Sequence, residues 1–269
     1  MSKQKVLVVL SGGQDSTTCL YWALSNPDWD VYAITFDYKQ RHRRELNAAR
    51  RIAAIAGLMC KHEVVELGPI LKGTSPLVSG AALEQYADSQ SLPGGLEKTF
   101  VPMRNQLFLT VAANRAYCLG AHKLVTGVCE EDYGGYPDCR REFINHLEDA
   151  CSAGTFTGEK DTLPALEIFT PLMNLTKAQT VGMALALKGC YQALAYSHTA
   201  YDGQYPPKGK DHATLLREKG FAEAGVPDPL ILRACSEGLM ELPVAPNYQG
   251  DLSKYWELAG LEPLRDVQV

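Results

Sequence analysis

The sequence predicts an α/β protein, a doubly wound parallel sheet followed by a small C-terminal helical lobe. Three observations predict it. Short β-branched runs alternate with helical periodicity through residue 187, and such a βαβα order calls for parallel strands joined by right-handed crossovers. The first run, residues 6–10 (VLVVL), ends in Ser-Gly-Gly and leads directly into a helical pattern. Beyond Cys190 the strand signal weakens while the chain continues to residue 269.

Taken in order, residues 6–10 form the first strand and 17–24 the helix after the glycine turn. Residues 31–36 (VYAITF) give a second strand. In the helix expected over 41–57, Leu46, Ala49, Ala53 and Ala56 share a face and Gly57 supplies the stop. A third strand is expected at 62–67, a helix at 105–119 closed by Gly120, and a fourth strand at 123–128. The stretch 68–98, rich in small residues and longer than a usual connection, reads as a surface insertion or mobile flap. A fifth strand at 168–171 and a helix at 176–187, capped by Thr176 or Asn174, complete the first unit. Residues 1–189 are thus expected to be one Rossmann-like domain and 190–269 a C-terminal lobe with a tail.

With 269 residues, 46% apolar and 21% charged, the chain has the composition of an ordinary globular domain built on one sizeable core. A net charge of −5 gives no global attraction to nucleic acid, so no direct nucleic-acid partner is expected. The apolar run near the start is too short for a signal segment or a membrane span, which points to the cytoplasm and no membrane partner. Eight cysteines are scattered without a Cys-x-x-Cys pair and read as reduced thiols.

Residues 11–16 (SGGQDS) fall where a parallel sheet places its ligand crevice, at the end of a strand and the start of a helix. Gly12 and Gly13 let phosphate oxygens approach the main chain, Ser11 and Ser16 add hydroxyl donors, and the helix dipole favours negative charge. Asp15 repels phosphate unless Mg2+ stands between them, as a hard oxygen ligand for that ion. A plain strand-to-helix corner would also satisfy this turn. The Walker A spacing and its lysine are missing.

SGGxDS after a first strand resembles the signature of the N-type PP-loop ATP pyrophosphatases, which share the adenine nucleotide alpha hydrolase-like fold. Three further segments narrow the resemblance to the 7-cyano-7-deazaguanine (preQ0) synthase family: FDYKQRH at 36–42 with Glu45, FVPMRN at 100–105, and EEDYGGYPDCR at 130–140. With TPLMNLTK at 170–177 they cover residues 5–180. The third segment joins carboxylates and tyrosines around a Gly-Gly hinge. Asp132 or Asp138 can accept the hydrogens of a guanine-like edge, and Tyr133 and Tyr136 can stack on the ring. A solvated acidic loop would carry the same residues.

The resemblance implies ATP as cosubstrate, Mg2+ at Asp15, and cleavage between the α and β phosphates. It implies a nucleotide site of Leu10, Ser11, Gly12, Gly13, Asp15, Ser16, Thr35, Phe36, Arg104 and Gly127. It implies a substrate site of Tyr38, Gln40, Arg41, Phe100, Asp132, Tyr133, Tyr136 and Asp138. Lys177, Arg104 and Asp15 are the implied catalytic groups, the two cations neutralising charge on phosphate and acyl-adenylate. The expected reaction joins 7-carboxy-7-deazaguanine and ammonia, through an adenylate and the amide, to give the nitrile, with AMP and pyrophosphate released. An enzyme that stops at the amide and a non-catalytic nucleotide-binding or defence module are the competing expectations. A homodimer is also implied.

One family feature is missing. The four cysteines that hold structural zinc, spaced Cys-x8-Cys-x2-Cys-x2-Cys, are replaced at approximately Ala200, Lys208, Asp211 and Thr214. No zinc ligands are expected, and Tyr201, Tyr205, Pro206 and Pro207 are expected to supply packing instead. The tail over 230–269, with Tyr248, Tyr255, Trp256 and Leu258, is expected to cover the lobe or a partner subunit.

Overall fold

The computed structural model describes residues 2–41, 43–92, 96–130, 136–156, 158 and 162–263. Five strands, β1 (Gln4–Val9), β2 (Trp29–Asp37), β3 (His62–Glu66), β4 (Lys123–Val125) and β5 (Glu167–Phe169), form one parallel sheet in the order β3-β2-β1-β4-β5. The chain steps outward from β1 to β3, then returns to build the other half. The reversal falls between β1 and β4, and a crevice opens there above the carboxyl ends of the strands.

The helices are α1 (Gln14–Leu24), α2 (Arg44–Ile55), the single turn α3 (Pro76–Ser79), α4 (Arg104–Leu119), α5 (Arg141–Gly154), α6 (Lys177–Ala186), α7 (Cys190–Leu194), α8 (His212–Glu223), α9 (Pro229–Ser236) and α10 (Ser253–Ala259). Alternation along β1 sorts them into two layers. Val6 and Val8 pack with Leu20 of α1, Ile52 of α2, Val181 of α6 and Leu194 of α7. Leu7 turns the other way, toward Leu109 of α4 and Ile144 of α5. Both faces of β1 are therefore buried from Val6 onward, which is why residues 6–9 form an unbroken apolar run.

Several bounds differ from the sequence reading for local reasons. Helix α1 starts at Gln14, three residues earlier than expected, because Gly13 in extended geometry already serves as its N-cap. Strand β4 stops at Val125, where Thr126 still donates its N–H to Phe169 O at 3.0 Å before the chain turns into the crevice. At α6 the choice of cap falls on Thr176. Its hydroxyl accepts the Gln179 N–H at 3.2 Å, and Gln179 Oε1 accepts the Thr176 N–H at 2.9 Å, a reciprocal capping box. Helix α5, the crossover from β4 to β5, was not anticipated. Ile144 and Leu147 are buried along it, with Phe143 and Cys151 packed beside them, an amphipathic stripe at helical spacing.

The insertion over 68–98 is fastened at several points. Ser75 Oγ donates to Thr99 O, the Tyr86 N–H donates to Lys210 O at 3.0 Å, and Lys210 Nζ donates to Ala87 O at 2.9 Å. Past residue 190 the chain first adds to the main core and then builds a small cluster of its own. Cys190, Ala193 and Leu194 of α7 lie in the same cluster as α1. In the tail, Leu252 and Trp256 bury against Leu232 and Cys235, whereas Leu258 is exposed.

Candidate active site

A cavity of about 310 Å3 opens above the β1/β4 reversal. Its floor is the corner between β1 and α1. Ser11 and Ser16 hydroxyls lie 3.0 Å apart, and Thr17 Oγ1 donates to Gly13 O at 2.7 Å, which fixes the turn from within. No side chain caps α1. Its first N–H groups and the positive end of its dipole therefore face the cavity, the arrangement that suits a phosphate.

Gly12 has a different duty from the one the sequence suggested. It does not line the cavity. Its φ is +91°, and a Cβ there would lie 2.4 Å from Glu45 O and 2.7 Å from Ala49 N. The missing side chain lets the corner press against α2. Gly127 does the same for the end of β4, where a Cβ would come within 3.1 Å of the Asp15 carbonyl carbon and of Ser16 N.

Three charged groups meet over this floor. Lys177, the first residue of α6, brings its Nζ within 2.7 Å of Asp15 Oδ2, and both side chains are largely buried. The other Asp15 oxygen, Oδ1, is buried without a hydrogen-bond partner among the described residues. Arg104 enters from the far side as the first residue of α4. Met103 before it takes a left-handed φ of 64°, an uncommon geometry for a non-glycine residue that sets the direction of the helix start. Burial disfavours the Arg104 charge, but Tyr38, Tyr201, Asp138 and Tyr136 around it shift the balance upward, so the guanidinium stays charged.

Leu10, Ser11, Gly13, Asp15, Ser16, Thr35, Phe36, Arg104, Gly127 and Lys177 all line the cavity, as do Tyr38, Gln40, Arg41 and Tyr136. Phe100 stands behind Tyr136, with ring centroids 5.3 Å apart, and does not itself line it. Asp138 is also set back. One of its oxygens accepts the Asn105 N–H at 3.3 Å at the start of α4, and burial raises its pKa against that bond and the pull of Arg104. Arg41 directs a guanidinium nitrogen to Ala81 O at 2.6 Å, tying the insertion to the rim. Asp132 and Tyr133 lie outside the described residues.

The sequence reading missed the opposite wall. His198, Thr199, Tyr201, His212 and Arg217 line the cavity from the segment beyond α7. The His198 N–H donates to Gly12 O at 2.8 Å, joining this wall to the corner between β1 and α1. Arg217 holds it from behind. Its Nε and Nη2 grip Asp228 at 2.6 and 2.8 Å, while Nη1 donates to Ser197 Oγ at 2.8 Å and Thr199 Oγ1 at 2.9 Å. Both members of the pair are buried, where a bidentate charge-assisted bond is strong and a broken one costly. The tail supports Asp228 in turn: Tyr248 Oη accepts the Asp228 N–H at 3.1 Å, and Asn247 Nδ2 donates to Val226 O at 2.9 Å.

At the places where the resemblance would put zinc ligands, the side chains are already engaged or unsuitable. Asp211 caps α8. Its Oδ1 accepts the Thr214 N–H and hydroxyl at 2.9 and 3.1 Å, and its Oδ2 accepts the Tyr201 N–H at 3.0 Å. One carboxylate thus links Thr214, the last of the four positions, to Tyr201, which follows the first. Tyr205 receives a hydrogen bond from Arg233 Nε at 2.7 Å and donates to Glu237 at 2.8 Å, fixing the loop to α9. No group of three or more His, Cys, Asp or Glu able to hold a metal occurs among the described residues. Nor is any helix among them long and apolar enough to cross a membrane.

Comparison with known proteins follows the same lines. The family model described as queuosine biosynthesis protein QueC matches residues 5–225. A 7-cyano-7-deazaguanine synthase of Gloeobacter violaceus is 52% identical over 229 residues, which are 84% of this chain and 95% of the relative. That of Chromobacterium violaceum is 49% identical over 238 residues, 88% of this chain and 97% of the relative. The Thermoplasma acidophilum enzyme of the same name is 39% identical over 86% of this chain and 92% of its own length.

Proposed function

The chain belongs to the queuosine biosynthesis protein QueC family, and from that premise we propose that it converts 7-carboxy-7-deazaguanine and ammonia to 7-cyano-7-deazaguanine at the expense of ATP. The observation that carries this reading is the meeting, in one cavity, of an uncapped helix N-terminus, the Lys177–Asp15 pair and Arg104. The triphosphate lies on the α1 N-terminus with its innermost phosphorus toward the organic acid. The acid's carboxylate attacks that phosphorus, pyrophosphate leaves, and an acyl-adenylate forms.

Adenylation solves a leaving-group problem, since oxide is expelled from a carboxylate with great difficulty and AMP departs readily. Ammonia then displaces AMP to give the amide. A second ATP activates the amide oxygen, and loss of AMP leaves the nitrile. Arg104 and Lys177 stabilise the charge that accumulates on phosphorus in both cycles. Tyr38, Gln40 and Tyr136 are the groups lining the cavity that suit a flat polar heterocycle.

The orphaned Asp15 Oδ1 fits a Mg2+ ligand. Bound there, the ion would offset the negative charge of the phosphates. The residues at the zinc positions do not fit zinc, lacking thiolates and with Asp211 spent on hydrogen bonds. The proposal therefore assigns no zinc, and a chelator should leave the melting temperature unshifted. Assembly as a homodimer belongs to the same proposal.

Mass spectrometry of products made from ATP, ammonium and the carboxylate tests the reaction. Nitrile with AMP and pyrophosphate is the expected outcome. Amide as the sole product would restrict the enzyme to one cycle, and absence of pyrophosphate release dependent on the deazaguanine would remove the proposal.

A further inference from the structure

Amination creates a need that the groups discussed above do not meet. Ammonia is present at neutral pH mainly as ammonium, which has no lone pair to attack with, so a site for it requires a proton acceptor. Among the described residues that line the cavity, the carboxylates are Asp15 and Glu45. Asp15 is engaged with Lys177. The Glu45 carboxylate accepts no hydrogen bond from the described residues.

Glu45 is also held firmly. It lies in the first turn of α2, and its carbonyl oxygen is in the close contact that only a glycine at position 12 permits. Its backbone is therefore fixed beside the corner between β1 and α1, and its carboxylate lies within the electrostatic reach of Arg104. Building on the adenylation reading above, we propose that Glu45 is the proton acceptor of the amination step, receiving ammonium in the cavity and delivering ammonia to the adenylate.

The step balances as follows. Ammonium gives one proton to the Glu45 carboxylate, and the freed nitrogen lone pair attacks the acyl carbon. The C–O bond to AMP breaks, and its electron pair leaves on the phosphate oxygen. The second proton lost by nitrogen departs with AMP or to water. In the second cycle the amide loses one N–H proton to water as its oxygen is adenylated, leaving an imidate with one N–H. Glu45, having released its proton to solvent, takes this one as the C–O bond to AMP breaks and the nitrile forms.

The surroundings suit such a base. Burial raises the Glu45 pKa to about 7, with Arg104 pulling it back. The titratable and charged groups facing it are Arg104 from α4, Tyr38 after β2 and Tyr201 from the wall beyond α7. A general base works best when its pKa is near the operating pH. His212, which also lines the cavity, is a weaker base, its pKa lowered to about 4 by burial and by Lys177.

The test uses the full-length enzyme and its Glu45→Gln and Glu45→Asp variants, with thermal melts to confirm folding. Two rates are compared at neutral pH: amide formation from ammonium, and ATP–pyrophosphate exchange dependent on 7-carboxy-7-deazaguanine. In Glu45→Gln, amide formation should fall at least about 10²-fold further than exchange, and Glu45→Asp should recover part of the loss. Hydroxylamine, largely uncharged at neutral pH, should restore C–N bond formation in the glutamine variant. Its rate with ammonium should climb with pH as free ammonia accumulates. Equal loss of both rates would mean that Glu45 serves nucleotide binding and would overturn the assignment, as would a glutamine variant that aminates at the wild-type rate. A wild type without exchange would instead strike the adenylation reading beneath it.

Discussion

The two walls of the cavity are built by opposite means. The corner between β1 and α1 is made from consecutive residues, 11 to 17, whose hydroxyls and backbone bond to one another over a few positions. The wall of His198, Thr199 and Tyr201 has little local structure and is held by side chains far along the chain, through Arg217, Asp228 and Asp211. A backbone-made site tolerates exchange of its neighbours, whereas a wall hung on one buried ion pair depends on both partners together.

The sharpest way to break this contrast is Arg217→Ala. It leaves Asp228 buried without its countercharge and should cost about 3–5 kcal/mol of stability by urea unfolding. A loss below about 1 kcal/mol, the range of an exposed pair, would show that the wall stands without its hub. Lys177→Ala probes the other side. It should reduce pyrophosphate release about 10²–10³-fold, the usual consequence of removing one preorganised electrostatic group, and a variant with full turnover would take Lys177 out of the mechanism.

Gly220→Ala tests how closely the two regions abut. Its added carbon would lie 2.7 Å from Lys177 Cβ, where α8 crosses α6. A cost of about 1–3 kcal/mol is expected from overpacking, together with slower turnover because Lys177 must shift. Unchanged kinetics beside a lowered melting temperature would separate the contact from the chemistry. The smallest effect is expected for Tyr248→Phe, which removes the acceptor of the Asp228 N–H and should cost about 1 kcal/mol in the same unfolding assay.

What the sequence disclosed follows the same division. The sheet, its parallel strands and the corner between β1 and α1 were legible because each depends on residues close in the chain: an apolar run, two glycines, a helix start. Arg104 and Lys177 carry no such local signal. They were found through the pattern of the family and not through spacing, since an arginine or lysine opening a helix is usually solvated. Arg217 carried no signal, and Tyr201 was read as a packing contact and not as a cavity wall, because their meaning lies in partners that the fold, and not the sequence, brings near. Glu45 stood within a recognised segment, yet nothing in the string shows that its carboxylate faces Arg104 across a cavity.

Glycines 12, 127 and 220 each allow one element to rest directly on the backbone or β-carbon of another. The β1–α1 corner, the end of β4 and the start of α6 are thus seated on their neighbours before any nucleotide enters. Association should then require little loss of chain entropy, and the heat-capacity change of ATP binding should correspond to the surface the ligand itself covers, without the larger value that accompanies ordering of a disordered segment.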